Sequence, residues 1–103
     1  MSVQITKANF ESEVLRSDVP VLIDFWAAWC GPCRAMSPIV EEVSESLNGS
    51  VKVGKVNVDE EPDLAAQFGI MSIPTFALFK NGALMKKDAG GRSKEELIAF
   101  ITA

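Results

Sequence analysis

Residues 21–26 read Val21-Leu22-Ile23-Asp24-Phe25-Trp26, and this nearly unbroken apolar run constrains the fold more than any other stretch. A strand with one wet face alternates apolar and polar side chains. A run without alternation fits a strand covered on both faces, as parallel strands in α/β proteins are. The rest of the chain must then supply helices for two sides of a sheet.

Periodicity elsewhere supplies them. Thr6 is placed to cap a first helix over about residues 7–16, with Phe10 and Val14 on one face. A second helix begins at Cys30-Gly31-Pro32-Cys33, where Pro32 suits a first turn because no N–H is needed there. Met36, Val40, Val43 and Leu47 recur at helical spacing, with Glu41, Glu42 and Glu45 opposite. Pro38 inside that pattern predicts a kink, and Asn48-Gly49 an end. Residues 51–58 intersperse valine with other residues and read as a second buried strand. A short helix is expected around 62–68, opened by Pro62 and closed by Gly69, with Leu64 and Phe68 inward. Thr75–Lys80 and Ala83–Lys87 flank Asn81-Gly82, a strong hairpin signal. Ser93 and Glu96 form a capping box for a last helix whose Leu97, Ile98 and Ile101 face inward. The expectation is one α/β domain over residues 1–103, a mixed sheet with helices on both faces.

At 103 residues the chain is long enough to bury a real core. Its net charge of −4 comes with scattered Lys and Arg, which argues against nucleic acid as a partner. No stretch approaches the roughly 18 apolar residues of a membrane span, so no membrane association is expected. Residues 1–20 lack the pattern of a secretory signal. The expected location is cytoplasmic, where a close cysteine pair is more often catalytic or metal-binding than structural.

That pair is Cys30 and Cys33, the only cysteines in a chain without histidine. Closing a loop that holds just Gly31 and Pro32 removes little chain entropy, so a disulfide there stabilises little. The spacing suits exchange: one thiolate attacks a disulfide elsewhere, and the second displaces the mixed disulfide that results. Two readings compete with exchange. One is an inert structural disulfide. The other is a metal site, which needs about four ligands and would have to borrow carboxylates or a second chain. Cys33 shares a helical stripe with Met36 and Val40 and is expected to face inward, leaving Cys30 exposed at the helix tip. Unpaired N–H groups and the positive end of the helix dipole favour a thiolate at that tip. Cys30 is therefore the expected nucleophile and Cys33 the resolving thiol.

Asp24 is the anomaly within its strand. Either it lies at a strand end, solvated or capped by local hydrogen bonds, or it is buried. If buried, desolvation raises its pKa towards neutrality and makes it a candidate base for Cys33. Lys55 shares a strand face with Val51 and Val53, and is either solvated or close enough to modulate Asp24. Pro74 follows Ile73 at the start of a strand, ordinarily a plain boundary position, and the isomer of the Ile73–Pro74 bond stays open.

The stretch Phe25-Trp26-Ala27-Ala28-Trp29-Cys30-Gly31-Pro32-Cys33 can be taken with Asp24, Lys55, Ile73-Pro74-Thr75, Phe79-Lys80-Asn81-Gly82 and Gly90. Together they resemble the thioredoxin family across essentially the whole chain. The resemblance implies a central mixed sheet of four to five strands flanked by about four helices. It implies a reversible dithiol–disulfide cycle at Cys30 and Cys33, with no bound cofactor; no metal is expected either, since two cysteines without histidine leave the ligand set short. It also implies a cis Pro74 packed against the cysteines and a client segment pairing with the backbone at Ile73. Trp29, Gly31, Pro32, Ile73 and Gly90 would form an apolar docking surface, and Asp24, assisted by Lys55, the buried proton acceptor. Gly31-Pro32 is the pairing of reducing members of the family. The expected activity is protein-disulfide reduction by a monomer recharged by a thioredoxin reductase. Ribonucleotide reductase, peroxiredoxins and methionine sulfoxide reductases are the implied clients. The competing expectations are a disulfide-forming or isomerising module, and a scaffold subunit without redox need. Met71 stands where a basic residue is common and Phe68 where a tyrosine is common, departures that bear on partner choice.

Overall fold

The apolar run becomes the middle of a five-stranded sheet in the computed structural model, which describes residues 1–103. In chain order the strands are β1 (Val3–Gln4), β2 (Val21–Trp26), β3 (Lys52–Asn57), β4 (Thr75–Lys80) and β5 (Ala83–Ala89). Their spatial order is β1-β3-β2-β4-β5. β2 runs parallel to β3 and antiparallel to β4, while β1 is parallel to β3 and β5 antiparallel to β4. The helices are α1 (Gly31–Ser46), α2 (Pro62–Gln67) and α3 (Lys94–Thr102). A five-residue π-helical turn over Glu11–Leu15 is the fourth helical piece.

Side chains on a strand alternate between faces, so β2 feeds two separate cores. Val21, Ile23 and Phe25 pack with Ile5, Phe10, Val14, Val56, Leu64, Ala77 and Phe79. Leu22 packs on the other face with Met36, Val40, Val43, Val53, Phe76, Leu78, Leu97 and Ile101. The first face is thus closed by the N-terminal segment and α2, the second by α1 and α3. Residues Val21 to Phe25 are at most 1% exposed, as the absence of alternation requires. Asp24 lies on the α1/α3 side, two residues from Leu22.

Local signals place most of the elements. Asn81 and Gly82 both have positive φ, 53° and 78°, which is the backbone of the tight turn joining β4 to β5. β5 continues to Ala89, two residues beyond the predicted end. Ser93 and Glu96 form the capping box, each side chain accepting from the other's backbone N–H at 3.1 and 2.9 Å. Pro38 removes one N–H from the ladder of α1, and the helix continues through it to Ser46.

The N-terminal segment departs from expectation. Thr6 caps no helix; its own N–H donates to Oδ1 of Asn9 at 2.7 Å, and Asn9 Nδ2 donates back to the Gln4 carbonyl at 2.9 Å. Asn9 thereby pins the chain just ahead of the expected helix into a turn, and regular structure starts only at Glu11. There the Arg16 N–H reaches the Glu11 carbonyl at 3.0 Å, five residues back, which widens the turn into π geometry. Phe10 and Val14 are buried as expected. β1, a two-residue strand, is too short to leave a pattern. It docks because Gly54 makes room for Ile5: a Cβ on Gly54 would stand 2.6 Å from Cγ1 of Ile5.

That contact generates a prediction. Ile5 is β-branched and 1% exposed, so it has little freedom to yield. Gly54→Ala is expected to destabilise the protein by about 1–3 kcal/mol, read as a lower urea midpoint. In the Gly54→Ala, Ile5→Ala double variant the loss should be smaller than the sum of the two single losses. Additive losses would contradict the proposed clash.

Candidate active site

β2 delivers the chain to the cysteines. After Trp26 the backbone turns through fully buried Ala27, whose carbonyl accepts from the Cys30 N–H at 3.2 Å, and Cys30 becomes the N-cap of α1. Its Sγ accepts from the Cys33 N–H at 3.2 Å, one of the donors a helix start leaves free. Cys30 and Cys33 are joined in a disulfide, with Cα atoms 5.2 Å apart.

The expected exposure of Cys30 is corrected by the structure. Cys30 is 5% exposed and Cys33 3%. Helical register sets a direction on α1, but segments from elsewhere cover the pair: Trp26, Val58 and Ile73 pack against Ala27, Cys30 and Cys33. The carbonyl oxygen of Ile73 lies 3.9 Å from Cys30 Sγ. The asymmetry survives in another form. A groove of about 510 Å³ is lined by Cys30 and not by Cys33.

Four of the expected docking residues line that groove: Trp29, Gly31, Pro32 and Ile73. Val58, Ala65, Ile70, Met71 and Ser72 line it as well, and none was expected in the site except Met71, at its rim. Apart from Cys30, no lining residue is ionisable. Met71 is 96% exposed and Trp29 68%. The Trp29 indole N–H donates to Asp59 Oδ2 at 2.8 Å, a partner that no sequence signal indicated. The Ile73–Pro74 bond is cis, and Pro74 itself is buried behind the groove. Gly90 does not line the groove either; its N–H donates to the Pro74 carbonyl at 2.8 Å.

Asp24 lies on the face of β2 that α1 covers. It is 1% exposed, and neither carboxylate oxygen has a hydrogen-bond partner. The solvated alternative is therefore excluded. Desolvation pushes its pKa up from 3.8; Lys55 pulls it down and Glu41 pushes it up, leaving it at about 7. Lys55 is the residue beside Asp24 on parallel β3, so both side chains leave the sheet on the same face. Its ammonium makes no ion pair with Asp24. It donates to Ser37 Oγ at 3.3 Å and stands 4.8 Å from the centre of the Trp26 ring. Nowhere in the chain do three or more His, Cys, Asp or Glu side chains converge as metal ligands would.

Sequence comparison agrees with this geometry. The family model described as Thioredoxin matches residues 1–103. The chain belongs to the thioredoxin family. It is 50% identical over 101 residues to a thioredoxin of Rickettsia bellii, covering 98% of this chain and 96% of that protein. It is 53% identical over 97 residues to a thioredoxin of Alicyclobacillus acidocaldarius, covering 94% and 91%. It is 51% identical over 94 residues to thioredoxin 1 of a Nostoc strain, covering 91% and 88%. The five-stranded mixed sheet and its helices are the fold of that family, and Cys30–Cys33 is its redox-active disulfide. The protein is a thiol–disulfide oxidoreductase of the reductase type, working with disulfide-containing client proteins and a reductase. No helix is long and apolar enough to cross a membrane.

Asp24 links the site to stability. Its folded pKa of about 7 lies above the ordinary 3.8, so the folded protein holds this proton more tightly than the unfolded chain. The corresponding stability is fully present below about pH 4 and is lost as pH rises to about 7. Roughly three pH units correspond to a loss on the order of 4 kcal/mol. For oxidised protein, urea midpoints should fall between pH 4 and 7. Asp24→Asn should flatten that fall and leave the variant more stable than the parent at pH 8. Parallel curves for the two proteins would contradict the buried, proton-holding carboxyl.

Proposed function

We propose that the protein is a general reductant of protein disulfides in which Cys30 attacks and Cys33 resolves. The observation that carries this is the one-sided groove, which Cys30 lines and Cys33 does not. A client disulfide entering the groove meets the Cys30 thiolate first. The Cys30 sulfur bonds to one client sulfur, and the other leaves as a thiolate. The Cys33 thiol then gives its proton to Asp24, and its sulfur attacks Cys30 Sγ. That step expels the second client thiolate and closes the Cys30–Cys33 disulfide, so two electrons pass to the client. Asp24 suits this role through its burial, its unpartnered oxygens and a pKa of about 7, near the working pH of a proton acceptor. Lys55, next to it on β3, modulates its charge.

Docking uses Trp29, Gly31, Pro32 and Ile73 along the groove, with the backbone at Ile73 pairing to an extended client segment. Pro74 and Gly90 act from behind: buried Pro74 backs Ile73, and the Gly90 N–H holds the Pro74 carbonyl. The chain acts as a monomer in the cytoplasm, carries no cofactor of its own, and is recharged by a thioredoxin reductase. Ribonucleotide reductase, peroxiredoxins and methionine sulfoxide reductases are its proposed clients.

Trapping tests the order of attack. Cys33→Ser is expected to accumulate client mixed disulfides through Cys30, detected as reductant-sensitive adducts, and Cys30→Ser to accumulate none. The reverse pattern, or adducts on neither variant, would refute the assignment. For Asp24, reduction of insulin disulfides by the parent should accelerate through about pH 7. Asp24→Asn should lose that rise and run about 10- to 100-fold slower at pH 8. An unchanged rate profile would remove Asp24 from the mechanism.

A further inference from the structure

The ammonium of Lys55 has more than one carboxylate within its reach. Asp24 is its neighbour across the β2–β3 pairing. Glu41, on α1, is close enough for its charge to act on both Asp24 and Lys55. Glu60 shares a polar cleft of about 350 Å³ with Lys55, together with Ser2, Gln4, Trp26 and Asn57. A long, flexible side chain on a strand would settle according to these competing charges and to its own hydration, which for an ammonium is strong.

Two contacts decide where it rests. Glu41 is already engaged: its carboxylate accepts from the N–H and the hydroxyl of Ser2. Burial pushes the Glu41 pKa up, but the two Ser2 hydrogen bonds, Lys55 and the N-terminal ammonium together hold the group below its ordinary value. The Lys55 ammonium, for its part, is bound to Ser37 Oγ at 3.3 Å and lies against the Trp26 ring. Ser37 sits one turn before Glu41 on α1, the helix that roofs Asp24.

We propose that Ser37 is a positioning residue for the reaction. Its hydroxyl tethers the Lys55 ammonium against α1 as the standing counter-charge to Asp24, and holds it back from pairing with Glu60 across the cleft they share. No other cation acts on Asp24; the remaining charge that bears on it is Glu41, from the covering helix. The β4 residue beside Asp24 is Phe76, which has no charge, and Arg92 over its ring is engaged with Asp88 and the Gly90 carbonyl. Without the hydroxyl, Lys55 moves to water and Glu60, and Asp24 loses the one group that opposes its desolvation.

The kinetic meaning of this tether rests on Asp24 being the proton acceptor, but the tether itself is tested without turnover. In oxidised protein carrying ¹³C-carboxyl aspartate, the Asp24 titration midpoint is followed by NMR. Ser37→Ala should raise the midpoint by about 0.5 pH units or more, the direction expected when an opposite charge recedes. Ser37→Thr, which keeps the hydroxyl, should restore the parent midpoint. In a Lys55→Met background, Ser37→Ala should leave the midpoint where Lys55→Met alone puts it. An unmoved or lowered midpoint in Ser37→Ala overturns the proposal, as does the same upward shift in the Lys55→Met background. The pH profile of insulin reduction should move with the midpoint. A midpoint that moves without the profile supports the tether and refutes the proton-acceptor role of Asp24.

Discussion

Because β2 is hydrogen-bonded along both edges and covered on both faces, none of its side chains between Val21 and Phe25 can reach water. Most other elements are placed by that requirement. β3 and β4 satisfy its backbone, α1 and α3 close one face, and α2 with the N-terminal segment closes the other. Each fully buried Leu, Ile or Phe in such a strand contributes about 1.5–3 kcal/mol, so a short strand holds a large share of the core's stabilisation. The same packing fixes the spot where β2 ends and α1 begins, and the redox disulfide sits at that junction.

The site inherits its chemistry from this arrangement. A carboxylate on a strand without a wet face cannot be hydrated, so Asp24 carries a standing penalty that shows as a pKa near neutrality. The protein keeps a destabilising group in its best-packed strand. Such a conflict between local packing and stability is characteristic of functional positions. Cys30 is handled differently. The start of α1 aims the Cys33 N–H at its sulfur, while packing from Val58 and Ile73 reduces its exposure and leaves one approach, through the groove.

What could be read from the sequence was whatever has a local cause. The doubly buried strand, the Asn81-Gly82 turn, the Ser93–Glu96 capping box and the Met36-Val40-Val43 stripe each follow from residues close together in the chain. Misjudged features depend on distant partners or on single side chains. Cys30 was expected to be exposed because helical register says nothing about Ile73 or Val58 arriving from later elements. The first helix shrank to a π-helical turn, its expected opening replaced by a turn that Asn9 pins to Gln4 and Thr6. β1 depends on the absence of a Cβ at Gly54. Ser37 and Asp59 left no trace, since a serine on a half-buried helix face and an aspartate after a strand are unremarkable until Lys55 and Trp29 are seen beside them. Asp24 was legible only as an anomaly; its burial needed the layers on both sides.

The groove wall carries no ionisable side chain besides Cys30, although the chain as a whole is acidic. Asp59, which holds the Trp29 indole, sets one carboxylate beside that wall. Selection falls on shape: a disulfide must stand far enough out of its own protein to enter the groove. A groove of that shape would spare a tightly packed structural disulfide and admit a protruding one.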